Sequence, residues 1–345
     1  MIPRVGVSHV AVTGAAGHLG GAVVRALIEA GANVRALVHH DRRALEGLSV
    51  ELHEGDIQDP DAVARLVARC DRVIHLAAVI SLEPRAEPLM KAINVDAVQV
   101  VVDACLAAGV ARLVHASSIH AFAAHPAAEP VDESRGPAEP NAPAYDRSKA
   151  AGEVIVRDAV ARGLDAVIVN PTAIVGPYDF RPSPMGEVML DLYHRRMPGL
   201  VAGGFDWVDV RDVATGVLAA AERGVRGTNY LLSGTWHAVV DLADRIAALT
   251  GVPRPRFVSP MWLARAAAPF AAGWARLRKK RALFTPTSLV ALRNHQRVSS
   301  ERARRELGHT ARPLDATLRD TFAWFEANGM LSPRRAGLLP PTTAS

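Results

Sequence analysis

The sequence predicts an α/β protein built on a doubly wound parallel sheet. Short β-branched runs alternate with longer helical patterns through the first half of the chain, and a glycine-rich turn follows the first of those runs directly. With 345 residues, 49% of them apolar and 22% charged, the chain can bury a large core. Strand, helix and strand at this spacing require a parallel sheet covered on both faces, with right-handed crossovers. Single cores stop growing near roughly 250–300 residues, so a smaller second part is expected behind the first.

The strands are expected at Ser8–Thr13, Asn33–Val38, Val50–His53, Arg72–Leu76, Ala111–Ala116 and Asp165–Asn170. Between them lie helical patterns at Gly20–Ala30, Asp61–Ala68 and Leu89–Ala108, with Asp59-Pro60 as the start signal of the second. The stretch His125–Pro143 is rich in Pro, Ala and Glu and lacks an apolar period, which marks a long loop of the kind that often carries function. After Pro171 the alternation ends in a Pro- and Gly-rich region, followed by helical patterns at Val210–Arg223, Val239–Thr250, Pro260–Ala275, Thr285–Leu292, Ser299–Leu307 and Leu314–Asn328. The expected division is therefore 1–176 for the sheet domain with its site helix, 177–330 for a mainly helical substrate-binding part from which some segments return to the sheet, and 331–345 for a flexible tail.

Gly14, Gly17 and Gly20 stand three apart, after the first strand and at the start of a helix. Glycine permits the tight turn, lets backbone approach a pyrophosphate, and allows helix to pack on sheet. The unpaired N–H groups at the helix start, around His18 and Leu19, then face the anion. A Rossmann-type dinucleotide site is the reading that fits this context. At the end of the second strand, where an acid would grip the ribose of NAD, the chain has apolar Val38 and then His39, His40, Asp41, Arg42 and Arg43. That cationic cluster favours NADP(H), with NAD(H) as the alternative if Arg42 and Arg43 only solvate the next loop.

Tyr145 and Lys149 lie four apart and so share one helix face. With four Tyr and four Lys in the chain, such a pair arises by chance about 0.05 times. A nearby ammonium is expected to lower the phenol's pKa, so that Tyr145 can exchange a proton with a substrate oxygen while hydride moves to or from a nicotinamide. Ser117 and Ser118 end the Ala111–Ala116 strand at the carboxyl edge of the sheet, where open α/β folds build their sites. A hydroxyl there can orient the substrate oxygen toward Tyr145.

Together with Gly55-Asp56-Ile57, His75-Leu-Ala77-Ala78, Asn94-Val95 and Pro171-Thr-Ala-Ile-Val-Gly176-Pro177, these motifs resemble the extended short-chain dehydrogenase/reductase family over nearly the whole chain. The resemblance implies that Asp56 and Ile57 lie beside adenine, that Ala77 and Ala78 line the pyrophosphate and ribose, and that backbone at Pro171, Thr172 and Ala173 holds the carboxamide. It also implies that Ser118 is the catalytic serine and that Lys149 bonds the nicotinamide ribose. The motif at Val175 and the tail around Arg304-Arg305-Glu306-Leu307-Gly308 are more similar to dihydroflavonol-reductase-like and 3β-hydroxysteroid-dehydrogenase-like members than to nucleotide-sugar epimerases. His39 departs from the arginine common in NADP-dependent members.

The expected activity is a reversible NAD(P)-dependent interconversion of a ketone or aldehyde and an alcohol on a hydrophobic small molecule. The alternatives are an epimerase or dehydratase that returns the hydride to its substrate, and a non-catalytic NADP-sensing protein. Val79, Tyr178 and Trp262 join Ser118 as expected substrate contacts, with the apolar stretch holding Trp262 and Trp274 as a core segment or a lid. Arg254 to Arg312 holds fourteen basic residues against two acids, which reads as a solvated surface or as a contact for an anionic group or membrane surface, centred on Arg276-Leu-Arg278-Lys279-Lys280-Arg281. No stretch is long enough to span a bilayer, no serine-hydrolase elbow and no nucleic-acid reading motif is present, and His75, His115 and His120 have no acidic or cysteine shell for a metal. Two cysteines make no disulfide framework, so a cytoplasmic protein is expected, and by family analogy a homodimer pairing Leu89–Ala108 and the Tyr145 helix.

Overall fold

The computed structural model describes residues 8–81, 83–127, 129–264, 266 and 286–331. The expected lid around Trp274, the basic run 276–281 and the tail beyond 331 lie outside the described residues.

Seven parallel strands form the central sheet: β1 (His9–Thr13), β2 (Asn33–Val38), β3 (Glu51–Glu54), β4 (Arg72–His75), β5 (Arg112–Ala116), β6 (Ala166–Pro171) and, from the second half of the chain, β10 (Asn229–Leu232). Their order is β10-β6-β5-β4-β1-β2-β3, so the winding reverses between β1 and β4, the crevice where such sheets bind ligands. Period-two alternation divides the core: Val10, Val12, Ile74 and Val114 face one helical layer, while Ala11, Val73 and Leu113 face the other. The first layer holds α1 (His18–Glu29) and α7 (Val210–Arg223), packed on each other. The second holds α2 (Pro60–Val67), α4 (Ala97–Ala108) and α5 (Ala144–Ala161), which carries Tyr145 and Lys149. Asp59 caps α2 by accepting from the Asp61 amide at 3.0 Å.

Two expectations are corrected. The single helix at Leu89–Ala108 is α3 (Glu87–Lys91) and α4 joined by a π-turn at Ala92–Asp96. The turn swings Asn94 inward, where its amide grips both backbone groups of Val79 at 2.8 and 2.9 Å and donates to Ser148 Oγ at 3.0 Å. The strand-helix alternation does not end after Pro171 either, because α7 and β10 extend the sheet beside β6. β10 is only four residues long and opens on Asn229, too short and too polar at its start to show a period.

A second core gathers Met189, Trp207, Leu242, Ile246, Phe322 and Phe325. It lies among α6 (Pro184–Tyr193), α8 (Val239–Thr250), α9 (Pro286–Ala291), α10 (Leu314–Ala327), a three-stranded sheet of β7 (Ala173–Val175), β9 (Gly204–Asp209) and β11 (Thr235–Ala238), and the short pair β8 (Leu200–Val201) and β12 (Val258–Ser259). No described helix is long and apolar enough to cross a membrane.

Candidate active site

The turn between β1 and α1 fits a dinucleotide. Gly14 adopts a left-handed φ of 66°, and a Cβ there would stand 2.6 Å from the Ala77 amide nitrogen. A Cβ on Gly20 would stand 2.1 Å from the Gly14 carbonyl oxygen, so helix and turn approach as only glycine allows. No side chain caps α1, which leaves the first amides of the helix for an anion. Thr13 Oγ1 accepts from the Leu76 and Ala77 amides at 3.2 and 3.3 Å, tying the ends of β1 and β4 together at the crevice. His18 turns its ring to the Pro177 carbonyl at 3.0 Å and Leu19 packs on the core, so what these two present to the turn is backbone.

At the end of β2, His39 and His40 are exposed, their rings tilted at 45° to each other with centroids 3.7 Å apart. Arg42 pairs with Glu54, and Arg43 holds Asp41 in a fork at 3.0 and 2.6 Å, a hydrogen-bonded pairing that keeps the Asp41 carboxyl down at about 2. Asp56 is exposed beside buried Ile57 and accepts from the Gln58 amide. Ala77 is half-buried and Ala78 exposed, at the mouth of the crevice. Thr172 gives its hydroxyl to Asp206 at 2.7 Å, so between Pro171 and Ala173 it offers backbone to a ligand.

Ser118, Tyr145 and Lys149 are all buried and converge at the end of β5. Ser118, rather than Ser117, is the serine whose hydroxyl draws the phenol's pKa down, and its Oγ accepts from the His120 amide at 3.2 Å. The Ser117 hydroxyl has no partner among the described residues. Lys149 Nζ donates to the Ala116 carbonyl at 2.9 Å, and burial pushes its pKa down to about 8, partly opposed by Glu153. The expectation of an acidified phenol is corrected for the protein alone. Burial pushes Tyr145 up to about 12, with the Ser118 bond opposing and the Asp146 carboxylate adding to the rise. The protein shell by itself thus keeps the proton on Tyr145.

Below the triad lies a buried polar layer that no spacing in the sequence reveals. Glu153 accepts from Asn170 at 2.6 Å, Arg157 at 2.8 Å and Asn229 at 3.0 Å, and Asn170 also donates to the Ser118 carbonyl at 3.0 Å. His75 and His115 stack 5.3 Å apart on neighbouring strands, with burial pushing His75 down to about 3 and His115 well below its usual value.

The expected substrate residues are scattered. Val79 is clamped by Asn94 next to the crevice, whereas Tyr178, at φ 72°, lies under the Arg25 guanidinium 4.6 Å away and packs on the core. Trp262 is 71% exposed and lines a cleft of about 760 Å³ with Trp236, Met261, Arg293 and Gln296. No described cluster of side chains could hold a metal ion, and His120 has one acid beside it, Asp146 at 3.1 Å.

The pattern of the NAD dependent epimerase/dehydratase family matches residues 10–233, which hold the glycine turn, the triad and β10. This chain belongs to that family. Sterol demethylase protein B of Methylococcus capsulatus is 38% identical over 327 residues, 93% of this chain and 99% of that one. A putative dihydroflavonol 4-reductase of Synechocystis is 32% identical over 330 residues, 92% of this chain and 94% of its own. A solved structure, gox2253, superposes with a TM-score of 0.83 at 33% identity, covering 94% of this chain and all of that one. The family member described here is an NAD(P)-dependent oxidoreductase, and several of its relatives are named as reductases.

Proposed function

We propose that the enzyme reduces the ketone of a lipophilic small molecule with NADPH, reversibly, Ser118 gripping the reacting oxygen and Tyr145 supplying the proton. The observation that carries this reading is the burial of Ser118, Tyr145 and Lys149 together at the end of β5, with Ser118 drawing the phenol's pKa down and Lys149 Nζ donating to the Ala116 carbonyl. Gly14, Gly17 and Gly20 with the amides of His18 and Leu19 would hold the pyrophosphate, Asp56 and Ile57 the adenine end, and Pro171–Ala173 backbone the carboxamide. When bound, the nicotinamide supplies the hydride. His39, Arg42 and Arg43 favour a 2′-phosphate, although Asp41 stands among them as a carboxylate. Ser118 orients the carbonyl, Tyr145 holds the proton at its hydroxyl until charge develops on the oxygen, and Lys149 supplies positive field from below. The apolar cleft with Trp236 and Trp262 supports a lipophilic substrate, as do relatives named for ceramide and for a farnesyl-bearing ketone. Exposed Leu89 on α3 and Val154 on α5 support pairing of two chains through these helices.

The test follows reduced-nicotinamide absorbance over a panel of hydrophobic ketones. Stoichiometric NADPH loss, abolished in Tyr145→Phe with cofactor binding retained, supports the proposal. Product without net cofactor turnover would instead identify an epimerase or dehydratase, and full activity in Tyr145→Phe would refute the site.

A further inference from the structure

The segment that follows Gly176 runs back along α1, next to the glycine turn, and is fastened there at several points. His18, in the first turn of α1, sets its Nε2 3.0 Å from the Pro177 carbonyl. Asp179, almost fully buried, accepts from the Ser183 amide and from the Ser183 hydroxyl, both at 2.8 Å, which fixes the segment to the start of α6. Arg25 on α1 donates from Nη1 to the Gly21 and Ala44 carbonyls at 3.0 and 2.8 Å, and its guanidinium lies 4.6 Å from the Tyr178 ring and 5.7 Å from the Phe180 ring. On its other contact, the Phe180 ring meets Trp324 of α10 edge-on at 4.9 Å. Tyr178 holds a left-handed φ of 72°, a conformation that a tyrosine keeps only where its surroundings impose it.

Arg25 thus ties Phe180 both to α1 and to Ala44, in the turn that follows Arg42 and Arg43. The next residue, Arg181, comes by this route to the end of β2. Its charge reaches Asp41, whose carboxyl is held down at about 2 by the hydrogen bonds from Arg43 first, with the Arg181 guanidinium adding to the fall. The three arginines around this strand end differ in what they already hold. Arg42 is paired with Glu54 and Arg43 with Asp41, so each of these charges is answered by a carboxylate. Arg181 is exposed and makes no hydrogen bond or ion pair among the described residues. A phosphate monoester brings close to two negative charges and three acceptor oxygens, and two already neutralised pairs offer it little net attraction. The unspent guanidinium tips that balance.

We propose that Arg181 reaches across from the second part of the chain to the 2′-phosphate of NADP(H) and, with Arg42 and Arg43, sets the preference for NADP(H) over NAD(H). A planar guanidinium suits phosphate oxygens, which it can bind two at a time. Arg25 is the positioning residue, holding the aromatic pair that delivers Arg181. The inference rests on the NADPH reading above and adds to it a residue that lies outside both the glycine turn and the β2 end.

The experiment reads binding to the full chain by calorimetric titration, with adenosine 2′,5′-bisphosphate and 5′-AMP as probes that differ only in the 2′-phosphate. The wild type should bind the bisphosphate at least about tenfold more tightly, and the preference should shrink as salt rises, because exposed charges are screened. Arg181→Gln should weaken bisphosphate binding by about tenfold, or about 1.4 kcal/mol, and leave 5′-AMP within about twofold, which also checks that the variant is folded. Arg181→Lys, which keeps the charge, should retain part of the preference. An equal loss for both probes in Arg181→Gln, or a preference that survives it intact, would overturn the proposal. If that preference survives Arg181→Gln but is lost in Arg42→Ala with Arg43→Ala, this inference alone falls and the NADPH reading stands. A wild type that binds the two probes equally ends both. No turnover is read, so the outcome is independent of whether any ketone is reduced.

Discussion

Replacing Asn170 by Ala tests whether the buried polar layer under the triad holds the site together. Asn170, fully buried at the end of β6, donates to the Ser118 carbonyl at 3.0 Å and to Glu153 Oε1 at 2.6 Å, and accepts from Asn229 at 2.9 Å. The two neutral bonds contribute about 1 kcal/mol each and the bond to a carboxylate about 1.5–3, so their joint loss should cost about 3.5–5 kcal/mol. The buried Glu153 carboxylate would keep only Arg157 and Asn229 as partners. Urea unfolding followed by far-ultraviolet circular dichroism measures the loss as a lower midpoint at unchanged slope. Asn229→Ala combined with Asn170→Ala should cost less than the sum of the two single changes by about 1 kcal/mol, because they share a bond. A loss under about 1 kcal/mol, or strict additivity, would refute the idea that this layer is a connected network.

Other outcomes follow from the same geometry. His75 and His295 are held neutral by burial, at about 3 and about 4 against an ordinary 6.5, so between those values the unfolded chain binds more protons than the folded one. Their contribution, present above pH 6.5, should therefore be lost as the pH falls through 6.5 toward 4, and the urea midpoint should drop accordingly; a flat midpoint over that window would contradict the burial. Gly152→Ala places a Cβ 2.7 Å from the Asn94 carbonyl oxygen and should loosen the Asn94 clamp on Val79, lowering stability by about 1–3 kcal/mol in the same unfolding assay. Arg42→Ala with Arg43→Ala should raise the KM for NADPH by about tenfold or more and leave that for NADH within about twofold, an equal change in both showing that the pair only solvates its loop.

The central sheet was legible because its strands are short, β-branched and separated by helices with clear signals: β2 falls at Asn33–Val38 as its pattern predicts, and α7 and α8 match their expected spans residue for residue. The small strands were not. β8 and β12 have two residues each, and β11 is largely exposed, so neither period nor burial marks them in the sequence. The π-turn at Asn94 was hidden because its residues fit a helix equally well; what breaks the helix is the distant Val79 backbone that Asn94 holds.

Local spacing alone thus determined the glycine turn, the Tyr145/Lys149 face and the serines at the end of β5, because one turn or one strand end is enough to bring such groups to the same edge. Only the tertiary structure decided the electrostatics of Tyr145, where burial raises the phenol's pKa against the pull of Ser118, and the meeting of His120 with His295 and of Asn170 with Asn229. The physical reason is range. Periodicity reports which face a residue shares with its neighbours, whereas desolvation and the pairing of segments some 175 residues apart depend on how the whole chain packs, as with His295 and the Phe122 carbonyl, 173 residues away in sequence.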